Sequence, residues 1–416
     1  MPRGADEGDL PYSAHMVSSQ AARIGRVNPG LRRNRAGAGL AFGAQGLLFA
    51  VLLTHVPQFK ATHQLGDGAI TVVILLVSII AGAGSVGAET VAGRLTSRTA
   101  LQAGLLWIGL AALAIAAAPD RLVFFVAFIV YGFGLGAVDA GTNMQAVAIQ
   151  SRYGRTILTS FHAYWSAGAI LGALYVAGTE RLHWTLGWSI ALPGALVVAL
   201  SMIADRVLLH TEGDRSEVAG GAPAVVVPWR PVLMLGAAMV CFYVTDAGAG
   251  SWSTTYAHDV LKASSALAPV AYAAYQATAL LSRIAGDRVV RRIGVEPTVR
   301  IGALIGTAGL VLAICAPSPW LAIVGFGIVG IGLPVVAPLC FSACGTLAPG
   351  HADQVVARVN VFNYLGSIIG GVAIGGIGTA FDLRYGFIVP AVLALVLLFL
   401  APAFNPKPVD LQAVTQ

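Results

Sequence analysis

The chain has 416 residues, 57% of them hydrophobic and only 11% charged, with a formal net charge of +6. A soluble globular domain needs about a quarter of its residues charged to wet its surface, so this composition excludes one and points to lipid as the solvent. The basic excess would suggest a nucleic-acid partner in a soluble chain. Here its distribution serves another purpose and no such partner is expected.

Residues 1–35 are polar, contain Gly and Ser, and show no apolar periodicity, which predicts a disordered tail. Crossing a bilayer takes about 20 mainly apolar residues in a helix. Six such stretches follow the tail, at 38–59, 69–91, 100–118, 122–148, 157–177 and 184–204. The segment 205–230, with Glu212, Asp214, Arg215 and Glu217 before a Gly/Ala/Pro run, is the longest polar interruption and is expected to be a linker. Six further stretches lie at 231–256, 266–285, 299–316, 320–347, 355–379 and 385–403, ahead of a polar tail over 405–416. The expected fold is an all-α integral membrane protein. Its twelve transmembrane helices form two pseudo-symmetric six-helix bundles, over 36–204 and 231–404.

Basic residues set the orientation. All but Lys60, Arg121, Arg181, Lys262 and Arg384 fall before the first span, in every second loop after it, or in the final tail. Both termini and the linker are therefore expected on the cytoplasmic side. The first apolar run is long enough to span and shows no small-residue cleavage site, so a removed signal peptide is not expected.

The halves echo one another. Gly132-x-Gly134 in the fourth span matches Gly330-x-Gly332 in the tenth, and Gly168-x3-Gly172 in the fifth matches Gly366-x3-Gly370 in the eleventh, both 198 positions on. Val91-Ala92-Gly93-Arg94 is echoed by Ile284-Ala285-Gly286-Asp287-Arg288 about 193 positions on. The glycines are read as sites of close helix approach. Two repeated bundles around a central loop are the plan of a secondary transporter that rocks about a midplane site.

Arg283-Ile284-Ala285-Gly286-Asp287-Arg288, followed by Arg291, Arg292 and Gly294, resembles the cytoplasmic-loop signature of the major facilitator superfamily. The resemblance implies a gating latch of Arg283, Asp287, Arg288 and Arg291, with Arg94 in the first half. Asp287 is expected to pair with neighbouring Arg residues and helix termini. The first-half copy keeps Gly93, Arg94 and Arg98 but lacks the acid before the Arg, and Glu89 lies higher up. Gly134-Leu135-Gly136-Ala137-Val138-Asp139-Ala140-Gly141-Thr142-Asn143 is similar to the fourth helix of fucose-permease-like sugar transporters. Tyr243-Val244-Thr245-Asp246, with Gly250-Ser251-Trp252, is similar to their seventh. That branch carries a second acid in its first helix, and the run from Leu47 to His55 has none.

An ionisable group inside a span costs about 2.5–3.5 kcal/mol on insertion scales and so calls for a role. Asp139, Asp246 and His162 are such groups. Asp139 and His162 lie nearly symmetrically about a turn expected at 151–155, which at roughly 1.5 Å per residue predicts depths within about 4 Å of each other. The pair is therefore the candidate proton carrier. In the fucose-permease pattern the position of His162 holds a polar amide.

Amides and aromatic rings suit a polyol, the amides through hydrogen bonds and the rings through C–H faces. Candidate solute-binding residues are Asn143, Trp165, Asp246 and Trp252. Tyr272, Tyr275 and Gln276 cluster in the eighth span, with Tyr272 and Gln276 on one face. Asn360 and Asn363 lie in the eleventh span, and Gln45 and Gln145 are further amides. Trp184, Trp229 and Trp320 at loop junctions read as interface anchors. Cys241, Cys315, Cys340 and Cys344 sit in apolar segments and imply neither a disulfide framework nor a metal site. No cofactor and no enzymatic activity are expected. The leading expectation is a monomeric, proton-coupled carrier of a sugar-like or other small polar solute in the cell membrane. Efflux of a drug or metabolite by antiport is the alternative within the class, and a non-transporting membrane sensor the alternative outside it.

Overall fold

The computed structural model describes residues 28–204, 206–210, 229–264, 266–348 and 351–406. The tail up to residue 27, most of the linker and everything from Lys407 lie outside the described residues. The first half contains α1 (Pro29–Thr54), α2 (Val56–His63), α3 (Asp67–Arg94), α4 (Ser97–Ala116), α5 (Arg121–Tyr153), α6 (Leu158–Arg181) and α7 (Leu186–Ala204). The second contains α8 (Trp229–Thr255), α9 (Val270–Ile293), α10 (Val295–Ile314), α11 (Pro319–Gly332), α12 (Val336–Leu347), α13 (Ala352–Ala380), α14 (Leu383–Gly386) and α15 (Ile388–Leu400).

Helix starts follow capping chemistry rather than the edge of the apolar run. The tail expected to reach residue 35 is helical from Pro29. Asn28 accepts a hydrogen bond from the Gly30 N–H at 2.9 Å, and Pro29 occupies the first turn, where its missing N–H costs nothing. Thr96 and Asp120 cap α4 and α5 in the same way. The tenth crossing is broken into α11 and α12 by a 3-10 turn over Leu333–Val335, because Pro334 cannot donate to the helical ladder.

Ten of the described helical segments are long and apolar enough to cross a membrane. The two helices of spanning length that do not qualify are α6 and α9, which carry His162 and Ser166, and Tyr272, Tyr275, Gln276, Arg283 and Asp287. They pack against each other between the halves, and α3 packs against α13 in the matching place. Their polarity is the mark of an inward face.

The offset of 198 is a structural register. A Cβ on Gly132 would meet the Val77 carbonyl, and one on Gly330 the Tyr275 carbonyl, partners that are themselves 198 apart. At Gly136 a Cβ would lie 1.8 Å from the Ala81 carbonyl oxygen, so α3 and α5 touch backbone to backbone there. This register corrects the 193-residue alignment of the loop motifs. The residue that corresponds to Asp287 is Glu89, one turn before Gly93-Arg94, and Arg283 corresponds to Ser85.

A candidate solute and coupling site between the halves

Asp139 lies near the middle of α5, and its carboxylate joins the halves. Oδ1 accepts from the Gln45 amide of α1, and Oδ2 accepts from the Tyr364 hydroxyl of α13. Asn143, one turn on, donates to the Asp139 backbone carbonyl at 2.8 Å, and its Oδ1 lies 3.1 Å from the His162 Nε2. His162 is therefore level with Asn143 and bonded to it, with no hydrogen bond to the Asp139 carboxylate. The symmetry argument missed by a turn because α5 runs on to Tyr153 and α6 starts only at Leu158, which moves the hairpin toward His162. The His162 ring is packed between Phe42 and Phe341, at centroid distances of 5.3 and 6.0 Å.

Across the seam, Asp246 accepts from the Tyr275 hydroxyl at 2.5 Å, and Gln276 donates to the Tyr272 hydroxyl at 2.9 Å. Tyr243 of α8 lies within electrostatic reach of Asp139, Asp246 and Arg283, which groups these charges about one side chain between the halves. Other candidates have partners that limit them. The Trp252 indole N–H donates to the Gly371 carbonyl at 3.0 Å and its ring covers Gly375, leaving only a ring face to offer. Trp165 packs on Phe49 at 5.9 Å. Asn360 donates to Ser85, which in turn donates to the Gly136 carbonyl, so this amide ties three helices together. No side-chain hydrogen bond is described for Asn363. Gln145 clamps the Leu209 backbone through both its amide atoms and also donates to Ser97.

The expected latch takes a different form. Asp287 is not joined to Arg288 or Arg291. Its carboxylate caps α6 of the other half, accepting from the Thr159 N–H at 3.0 Å, the Thr159 hydroxyl, and the Ser160 N–H at 3.1 Å. Free N–H groups and the positive end of a helix are a better partner for a buried carboxylate than exposed Arg side chains on its own helix. Arg288 and Arg94 are exposed and have no described partner. Arg291 donates across the seam to the Thr156 carbonyl at 2.9 Å. Arg283 lies far from the loop, buried in the seam, where it donates to Ser166 of α6 at 2.6 Å.

Sequence reasoning missed Tyr364, Ser166 and the pair Glu89–Arg358, an ion pair of 3.2 Å between α3 and α13. The signal for Glu89 was present, as an acid inside an apolar span at the repeat offset from Asp287. Every hydrogen bond and ion pair that crosses the seam among the described residues lies toward the end holding the basic loops, with Asp139–Tyr364 the farthest from it. The halves are closed together at that basic end.

The sequence profile described as Major Facilitator Superfamily matches residues 261–413. The chain is 29% identical over 379 residues to an uncharacterized MFS-type transporter of Yersinia pestis, covering 89% of this chain and 95% of that one. Among solved structures it superposes on the E. coli fucose:proton symporter FucP with a TM-score of 0.70 at 14% identity, covering 89% of this chain and 98% of that one. The human organic anion transporter MFSD10 gives a TM-score of 0.70 at 15% identity, covering 90% and 100%. The chain is similar to MFS-type transporters over most of its length, and its second half carries the superfamily's profile. Its fold is that of MFS transporters, with ten candidate membrane spans among the described residues, and a transporter of that kind would bind a small molecule within the membrane.

Proposed function

We propose that this transporter carries a small polar solute by proton-coupled alternating access, with Asp139 as the coupling group. The supporting observation is the Asp139 carboxylate, the one acid among the described residues whose two oxygens are held by opposite halves, Gln45 on one side and Tyr364 on the other. A charged carboxylate only accepts hydrogen bonds, whereas a protonated one must also donate. Gain of a proton therefore forces a change at the seam, which is what coupling requires. Asp246, Tyr272, Tyr275, Gln276 and Asn143 supply groups for a hydroxylated solute, and His162 acts on Asp139 through Asn143. FucP, a fucose:proton symporter, shares the fold and gives precedent for this class of solute and coupling ion.

In this reading the basic end faces the cytoplasm, both termini lie there, and the carrier works as a monomer. Asp139→Asn mimics the protonated acid. It is expected to keep solute binding and counterflow exchange in proteoliposomes while losing accumulation driven by a pH gradient. Uphill accumulation by this variant under a proton gradient would remove Asp139 from the coupling role.

A further inference from the structure

Arg283 is only 6% exposed, and no ion pair joins it to any carboxylate among the described residues. Asp287, one helical turn away, is engaged by the start of α6. The bonded partners of Arg283 are both neutral, the Ser166 hydroxyl at 2.6 Å and the Pro334 carbonyl at 3.5 Å. A buried guanidinium without a counter-charge is costly, and buried charges are ordinarily paired. Its Nη2 makes no hydrogen bond to a described residue. Its neighbours are those of the candidate site. Arg283 lies within electrostatic reach of His162, Tyr243, Tyr272 and Tyr275, and the last three also feel Asp246.

We propose that Arg283 is the docking point for a carboxylate on the transported solute. The inference rests on the cluster between the halves being the solute site, and it narrows the solute to a small acid that also carries hydroxyl groups. The Arg fork suits a planar carboxylate approaching Nη1 and Nη2 together. The acids Asp139 and Asp246 then face the uncharged, hydrogen-bond-donating part of the molecule, away from its carboxylate. Docking also has a mechanical consequence. Nη1 now holds Ser166 of the opposite half, so a carboxylate that engages the fork competes with a bond closing the basic end. Solute binding and opening are thereby linked through one side chain, because a ligand shifts a conformational equilibrium only by its differential contacts with the two states.

The test uses the purified full chain and thermal unfolding, since a ligand that binds the folded state raises the midpoint. Matched pairs separate charge from shape: lactate against propane-1,2-diol, gluconate against glucitol, and glucuronate against glucose, with sodium chloride equalising ionic strength. At least one acid should stabilise the wild type more than its neutral counterpart. Arg283→Gln should weaken that acid on the order of 10–100-fold, as expected for losing hydrogen bonds to a charged group. Arg283→Lys, which keeps the charge, should retain part of the preference and guards against misfolding of the Gln variant. Ser166→Ala removes the cross-seam bond but leaves the guanidinium, so it should preserve or improve acid binding. The proposal is overturned if no acid outperforms its counterpart in the wild type, if Arg283→Gln keeps the preference, or if Ser166→Ala abolishes it as Arg283→Gln does. Failure of proton coupling at Asp139 would leave these binding results intact, so the two readings fail separately.

Discussion

Replacing Asp287 with Ala should release the basic end. In the closed structure the carboxylate is buried and accepts from Thr159 and Ser160, with Thr159 fully buried beside it. Hydrogen bonds to a charged group are worth about 1.5–3 kcal/mol each, and loss of a helix cap about 1 kcal/mol. In the open state both partners regain water, so only the difference counts, and about 1.5–3 kcal/mol in total is a reasonable share. That shifts the closed-to-open ratio roughly 10- to 150-fold. Asp287→Asn can still accept one N–H but turns its amide donors toward the other, so it should fall between Ala and the parent. Labelling of a single cysteine reads the shift. Val147 is buried against Gly345 of the other half, and with the native cysteines replaced, Val147→Cys becomes reactive only when the seam parts. Unchanged labelling of Val147→Cys in the Asp287→Ala background would refute the capping argument.

Other outcomes follow from the same contacts. Glu89→Gln should raise labelling of Val147→Cys by less than Asp287→Ala, about 1.4- to 5-fold, because the pair with Arg358 is partly exposed and such pairs contribute about 0.2–1 kcal/mol. Tyr364→Phe should raise the same labelling and lower the rate of proton-driven uptake without abolishing exchange; unaltered uptake would show that the hydroxyl plays no part in coupling. Gly136→Ala should destabilise the fold by about 1–3 kcal/mol in thermal unfolding, since its Cβ would lie 1.8 Å from the Ala81 carbonyl oxygen. Reporter fusions at the first and last residues should both read as cytoplasmic, and a C-terminus on the opposite side would overturn the proposed orientation.

The all-helical architecture and its two-fold repeat were legible because lipid leaves few options: apolar runs of the right length must be helices, and the recurring glycines mark backbone contacts in both halves. Helix ends were less legible. Apolarity stops near residue 38, yet a cap at Asn28 and a Pro at the first turn carry α1 out to Pro29. The same weakness displaced the α5–α6 turn and placed His162 opposite Asp139 instead of Asn143. Asp139, Asp246 and Asp287 stood out because a buried acid is conspicuous in an apolar sequence. The partners of Asp139 and Asp287, Tyr364 and Thr159, are ordinary residues whose significance comes from helices 225 and 128 positions away meeting at the seam. A sequence-local motif search read the latch within one loop, whereas the carboxylate reaches a helix start in the other half.

The repeat itself explains why two acids hold the seam by different chemistry. Asp287 on α9 meets the first turn of α6, and Glu89, 198 positions earlier on α3, meets the corresponding region of α13, where Arg358 stands at the place of Ser160. The first half thus replaces a buried helix cap with a partly exposed ion pair, which is weaker and more readily broken. The acid latches at the basic end are therefore asymmetric, firm at α6–α9 and softer at α3–α13, where the buried Asn360–Ser85 hydrogen bond lies beneath the ion pair. Asp139 lies on the soft side through Tyr364, one turn and a half along α13 from Arg358. If Asp139 takes up a proton, the Tyr364 hydroxyl can turn from donor to acceptor, and the Gln45 amide, whose Oε1 is sealed without a partner, can present that oxygen instead. Both neighbours can follow the proton, and the interface they loosen is the one whose remaining latch is the weaker of the two. Under the proposed coupling, proton uptake at Asp139 would then act beside the weaker of the two acid latches, and α13 is the element expected to move first.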